Sequence, residues 1–293
     1  MTLSRRRFLT VTAAALAAPR GACAASWQGT ALGADVSLTI RGPRDTADEG
    51  LARARRLLEE VEALFSLYRP DSALCRLNAA GTLARPDPRL LDLLAASDTA
   101  HRLTGGRFDP TVQPWWRALA LGQDPAAARA AIGWDRVRWS SGAVTLGTGQ
   151  ALTFNGIAQG YATDLVTDAL RELGLGEVLV NIGEYRALGG PWRLGLSDPA
   201  QGHMGHVTLT SGAVATSSPA AFSLGAEAHI LHPDHRPLWS TVSVSAASAT
   251  LADALSTALC LAPEPLAEEI ATRPDVHAIR LIDRQGNLRT VSA

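Results

Sequence analysis

The chain has 293 residues, 46% hydrophobic and 19% charged, which is enough for one large domain or two small lobes around a real core. Every one of its 27 Lys-or-Arg positions is arginine, and the formal net charge is −1. Residues 1–24 carry Arg5, Arg6, Arg7 and Arg20 and no acid; without those four charges the remainder stands at −5, which argues against nucleic acid as a partner. No run of apolar residues reaches transmembrane length.

The first residues read as an address. Ser4-Arg5-Arg6-Arg7-Phe8-Leu9 precedes an apolar run over 9–18, and Ala22-Cys23-Ala24 offers a signal-peptidase pattern. The paired arginines resemble a twin-arginine signal, with an arginine-rich general secretory signal as the alternative. A lipoprotein reading of Cys23 is weaker, because Arg20 stands where an aliphatic residue is wanted. The expectation is a removed signal over 1–24, a mature domain over 25–293, and a periplasmic location. Cys75 and Cys260 are expected to be free thiols, Cys260 buried.

In the mature part, Val36, Leu38 and Ile40 alternate with polar residues and predict a strand over 34–40. Leu51, Leu57, Leu58, Val61 and Leu64 predict a helix over 46–67. Pro70-Asp71-Ser72 is a turn that caps a short helix, and a second helix spans 86–103, stopped by Gly105-Gly106. The segment from Gly106-Arg107-Phe108-Asp109-Pro110-Thr111 to Trp116 is either a rigid loop at a site or a Pro-rich connector. A short helix is expected over 123–132, and a hairpin over 137–154 turning at Ser140-Ser141-Gly142.

A β-prone run, 151–154, leads into Asn155-Gly156, after which Ile157, Tyr161, Leu165, Ala169 and Leu173 recur every four residues. Strand, small-residue turn and helix N-terminus together make an anion site, or else an ordinary strand–helix connection. A buried strand follows over 177–182, then short strands over 193–196, 206–209, 213–215 and 241–246. His229, His232 and His235 lie close enough to raise zinc, but no cysteine or His-x-x-x-His spacing accompanies them. In the helix over 251–261, Asp253, Ser256 and Thr257 fall on one face. They are hard oxygen ligands suited to Mg²⁺, or they are structural acceptors and hydroxyls bonded within the helix. A hairpin over 277–291 closes the chain. Many short strands with helices, lacking strict strand–helix alternation, predict an α+β fold.

In order, Phe65-Ser66-x-Tyr68…Asp71-Ser72…Leu77-Asn78, Thr104-Gly105-Gly106-Arg107-Phe108-Asp109-Pro110-Thr111, Asn155-Gly156-Ile157-Ala158-Gln159-Gly160-Tyr161-Ala162-x-Asp164, Val178-Leu179-Val180-Asn181-x-Gly183, Ala215-Thr216-Ser217, His229-Ile230-Leu231-x-Pro233 and Ala252-Asp253-Ala254-Leu255-Ser256-Thr257-Ala258 resemble the ApbE family, the FAD:protein FMN transferases. The resemblance implies mixed sheets of short strands with flanking helices and a flavin site between lobes. It implies transfer of FMN from FAD to a Ser or Thr hydroxyl of an acceptor flavoprotein, with Mg²⁺ and release of AMP. It puts Mg²⁺ at the backbone oxygen of Gly156 and the side chains of Asp253 and Thr257, with Ser256 beside them. It puts FAD against Leu32, Tyr68, Arg107, Phe108, Asp109, Thr153, Gln159, Ile230 and Leu231. Tyr68 and Phe108 lie in polar loops where a core role is not expected. His229 either handles the acceptor proton or walls the flavin pocket.

The chain departs from the family at Thr153, Gln159, Glu184-Tyr185 and His232, where Asp, Lys or Glu, Gly-Asp and Asp are usual. The signal resembles exported members that serve membrane-bound electron-transfer flavoproteins. A flavin-storage protein and an FAD pyrophosphatase are the alternatives.

Overall fold

The computed structural model describes residues 25–292, so the expected signal over 1–24 lies outside the described residues. The chain begins with β1 (Ala25–Ala31), β2 (Ala34–Arg41), α1 (Arg44–Phe65), α2 (Ala73–Ala80), β3 (Thr82–Ala84) and α3 (Pro88–Leu103). Next come α4 (Gln113–Ala120), α5 (Ala126–Ala130), β4 (Arg138–Trp139), β5 (Ala143–Thr145), α6 (Ala158–Glu172) and β6 (Glu177–Ile182). A long hairpin of β7 (Tyr185–Asp198) and β8 (Gly202–Ser217) leads to the two-residue strands β9 (Ser223–Leu224) and β10 (Glu227–Ala228). The chain ends with β11 (Thr241–Ala246), α7 (Ala249–Leu259), α8 (Glu264–Ala271), β12 (Val276–Ile282) and β13 (Leu288–Val291).

The fold is α+β. Eight strands form one sheet in the order β1-β2-β6-β7-β8-β11-β12-β13. Every described pairing in it is antiparallel, so it is not the mixed sheet expected. In β2, Val36, Leu38 and Ile40 point into the core, as their period of two requires. One core packs α1, α2, α3 and α6 against β2 and β6; another packs α7 and α8 against β11 and β12. Ala254 and Ala258 of α7 belong to the first and Ala252, Leu255 and Leu259 to the second, so α7 is wedged between them. That explains why seven of its eleven residues are Ala or Leu. Among the described residues no helix is long and apolar enough to cross a membrane. Cys75 and Cys260 are free thiols, Cys260 buried.

Several expected elements differ. The short strands over 193–215 are parts of β7 and β8, which run 14 and 16 residues. Gly189, Gly190, Gly205 and Gly212 have positive φ and break the alternation that would have shown the length. The expected hairpin over 137–154 keeps only β4 and β5, joined at the expected turn, and β5 also pairs with β3. Residues 151–154 are not a strand: the Asn78 side chain holds Leu152, accepting its N–H at 2.7 Å and donating to its carbonyl at 2.9 Å. The helix expected over 251–261 starts two residues earlier, because Ser248 caps it by accepting from Leu251 N. β1 and α8 were not foreseen.

Candidate functional site

Helix α6 leaves the Asn155-Gly156 turn and lies directly on α7. Gly160 makes this possible: a Cβ there would stand 2.3 Å from the Ala249 carbonyl oxygen and 2.8 Å from the Asp253 Cβ. The Gly160 N–H donates to Asp253 Oδ2 at 3.0 Å. One turn further along α6, Asp164 takes hold of the first turn of α7, accepting from Ala249 N at 2.8 Å, Thr250 N at 2.9 Å and the Thr250 hydroxyl at 2.6 Å. Arg186 of β7 pairs with Asp164 at 2.9 Å.

Three of the four expected metal residues cluster on α7, and the turn meets them. Thr257 lies against Gly156, where an added Cβ would stand 2.9 Å from the Thr257 hydroxyl. Ser217, at the end of β8, hydrogen-bonds with Ser256 at 2.8 Å and Thr257 at 3.3 Å. Asp253 is only 2% exposed, and the Gly160 N–H is its carboxylate's one hydrogen-bond donor among the described residues. Burial pushes this carboxyl up to about 7; the Gly160 N–H opposes the shift and the charge of Asp164 adds to it. No arginine or histidine pairs with this carboxylate among the described residues. With two hydroxyls one turn away and a backbone that can approach, the donors are hard oxygens of the kind Mg²⁺ takes. Among the described residues no three His, Cys, Asp or Glu side chains cluster as metal ligands.

The expected flavin residues divide. Gln159 donates to the Leu32 carbonyl at 3.4 Å and its side chain closes over Gly183. Thr153 N donates to the Pro110 carbonyl at 2.9 Å, tying the 106–111 loop to the Asn155-Gly156 turn. Arg107 donates to the Leu261 carbonyl just beyond α7 at 3.4 Å. Asp109 accepts from the N–H and hydroxyl of Thr111, and burial raises its pKa above the usual carboxylate value. Ile230 packs in the core of α7 and β11, whereas Leu231 joins Trp115 and Leu224. Tyr68 is 61% exposed, as a loop residue open to a ligand would be.

Phe108 corrects the sequence reading. It is 5% exposed and belongs to the main core, because the Thr104 hydroxyl accepts its N–H at 3.0 Å and His101 Nδ1 meets its carbonyl at 2.8 Å, turning the ring inward.

The Nδ1 of His229 faces two carbonyls, Phe222 at 3.1 Å and Pro219 at 3.2 Å. Carbonyls only accept, so Nδ1 carries the proton and Nε2 the lone pair. Burial lowers the pKa of this ring, and the two carbonyls offset the effect in part. Burial thus favours the neutral imidazole at His229, which the 217–222 segment joins to the Ser217–Ser256–Thr257 hydroxyls. His232 stacks near His235, ring centroids 4.5 Å apart, and accepts from Asp234 N at 3.0 Å.

Residues 32–280 match the model of the ApbE family. The chain belongs to the ApbE family. This ApbE chain is 31% identical over 243 residues to the FAD:protein FMN transferase of Rhodobacter capsulatus, covering 72% of this chain and 45% of that protein. It is 28% identical over 191 residues to that of Klebsiella pneumoniae (strain 342), covering 58% of this chain and 60% of that one. It thus spans roughly half of the length of these curated relatives. The solved apo form of Pseudomonas stutzeri flavinyl transferase ApbE superimposes with a TM-score of 0.78 at 26% identity, covering 91% of this chain and 95% of that one.

Sequence reasoning missed the burial of Glu184. It stood as a departure next to Gly183 at a strand end, which reads as a turn. The structure buries it, and the only sequence signal was the hydrophobic strand on either side.

Proposed function

We propose that this chain is an Mg²⁺-dependent FAD:protein FMN transferase. The observation that carries the reading is Asp253: a buried carboxylate in an ApbE chain with one N–H donor and no arginine or histidine partner among the described residues, one turn from the Thr257 hydroxyl that meets the Gly156 turn. Mg²⁺, when bound, would neutralise charge on the pyrophosphate oxygens. Asp253, Thr257 and the Gly156 carbonyl would hold it, with Ser256 and Ser217 orienting Thr257. Leu32, Gln159, Thr153, Tyr68, Arg107, Asp109, Ile230 and Leu231 would hold the flavin nucleotide.

The acceptor Ser or Thr oxygen would bond to the FMN phosphorus as the bond to the AMP phosphate oxygen breaks. His229 Nε2, kept free by the carbonyls on Nδ1, would take the hydroxyl proton. In line with the twin-arginine-type start, we place the protein in the periplasm, serving a membrane-bound acceptor flavoprotein. Purified protein, FAD, Mg²⁺ and an acceptor domain test the reading. The expected result is an acceptor heavier by one FMN, with AMP released. Intact FAD retained by the protein, or free FMN and AMP beside an unmodified acceptor, would replace it with storage or pyrophosphate hydrolysis.

A further inference from the structure

We propose that Glu184 is a second carboxylate of the divalent-cation site, acting beside Asp253. The inference rests on the reading that Asp253 holds a cation, and it adds a residue to that site.

Glu184 follows Gly183 in the short connection between β6 and β7. Gly183 has φ +88°, the left-handed conformation that glycine tolerates, and this turns the next side chain inward. The Glu184 main chain is pinned there. Its carbonyl accepts from Ile182 N at 3.1 Å and from the Thr163 hydroxyl of α6 at 3.2 Å. Its side chain crosses to β8, where Oε2 accepts from Thr216 N at 3.1 Å. Glu184 is 4% exposed, and that N–H is its carboxylate's one hydrogen-bond donor among the described residues.

Two of these elements, α6 and β8, also frame Asp253 and its helix. Gly160, one turn before Thr163 on α6, donates to it. Ser217, next to Thr216 on β8, bonds to Ser256 and Thr257, which follow Asp253 by one turn on α7. Glu184 thus reaches α6 with its carbonyl and the end of β8 with its carboxylate, and the Asp253 carboxylate meets α6 while its helix meets the next residue of β8. Each carboxylate takes a single backbone N–H, and neither has an arginine or histidine partner among the described residues. Asp253 is 2% and Glu184 4% exposed, and the charge of Asp253 reaches Glu184. Two buried acids near enough to repel each other are costly as anions without a cation to neutralise them. Their most economical partner is a divalent ion, which oxygen ligands of this kind select.

One role competes. Tyr185 pairs with Val214, so β7 ends two residues short of Thr216, and Glu184 Oε2 accepts the N–H that β7 leaves unpaired. Gln at 184 separates the two roles, because its amide oxygen can still accept from Thr216 N while the negative charge is gone. Binding of Mn²⁺ to the metal-free protein without FAD, followed by loss of the free-ion electron paramagnetic resonance signal, gives the measurement. The wild type should bind. Glu184→Gln should bind about 10- to 100-fold more weakly, with a metal-free melting temperature no lower than wild type. Glu184→Met, which removes both charge and acceptor, should weaken Mn²⁺ equally and serves if the first variant does not fold. Wild-type Mn²⁺ affinity in Glu184→Gln, with Asp253→Asn no longer binding, would overturn the inference and leave Glu184 as the end of a strand ladder. Unchanged binding in Asp253→Asn would instead overturn the reading on which it rests.

Discussion

At the scale of single residues, similar side chains in similar loops end in opposite environments. Tyr68 and Phe108 show the contrast. Both were aromatic residues in polar loops by sequence, yet one ring is open to solvent and the other is in the core. Tyr68→Ala should weaken FAD binding by about 1 kcal/mol, the worth of one aromatic contact, and leave the unfolding free energy unchanged. Phe108→Ala should lower that free energy by about 3–5 kcal/mol. Titration with FAD and urea unfolding of the two variants check both; a stable Phe108→Ala protein would contradict the core placement.

His232 supplies a pH dependence. It is 9% exposed, and burial, followed by the charge of His235, brings its pKa from 6.5 to about 4. The Asp234 N–H on Nδ1 also needs that nitrogen unprotonated. The folded pKa lies below the unfolded one, so as pH falls the unfolded chain takes up the proton first. The contribution is whole above about 6.5 and is lost progressively as pH falls towards 4. Between about pH 7 and about pH 5 this one group should cost about 2 kcal/mol of stability. In His232→Asn, whose amide can still accept from Asp234 N, that part of the acid loss should disappear from urea unfolding curves. An unchanged pH profile would contradict the assignment.

At the scale of elements, the site depends on how α6 meets α7. The i, i+4 pair Gly160 and Asp164 reaches α7 twice, once through the Asp253 carboxylate and once through the backbone of its first turn. Gly160→Ala must push the helices apart, because its new methyl would lie 2.3 Å from a carbonyl oxygen that cannot rotate away. A stability loss of about 1–3 kcal/mol is expected, together with weaker Mn²⁺ binding, since Asp253 moves with α7. Normal stability and normal Mn²⁺ affinity in this variant would contradict the packing.

The helices were legible because their apolar stripes recur with a helical period: Leu58, Val61 and Leu64 of α1 are all buried. The long strands were not, because glycines with positive φ interrupt their alternation. Residues 151–154 misled for a different reason. Their β-prone side chains are real, but Asn78, distant in sequence, occupies the Leu152 backbone that a strand neighbour would need.

At the scale of the whole molecule, one antiparallel sheet spans two cores, and α7 stands between them. The oxygens on one face of α7 were visible as a spacing of three and four. The hydroxyl of Ser217 and the burial of the Glu184 carboxylate were not, since β8 and the β6–β7 connection come near the helix only after the sheet has formed. The family was legible because its motifs keep their order along the chain, whereas Phe108 shows that a motif position does not fix which way a side chain turns. Mg²⁺ would keep waters and share oxygens with the FAD phosphates, so each ligand should tighten the other by the same factor.

The most direct test of the account is the intact mass of an acceptor domain incubated with FAD and either wild type or Asp253→Asn, with and without Mg²⁺. The account predicts a mass gain of one FMN with wild type and Mg²⁺ only, while the metal-free melting temperature of Asp253→Asn equals or exceeds that of wild type because a buried charge has been removed. An acceptor that gains FMN from Asp253→Asn at the wild-type rate, with the same dependence on Mg²⁺, would contradict it.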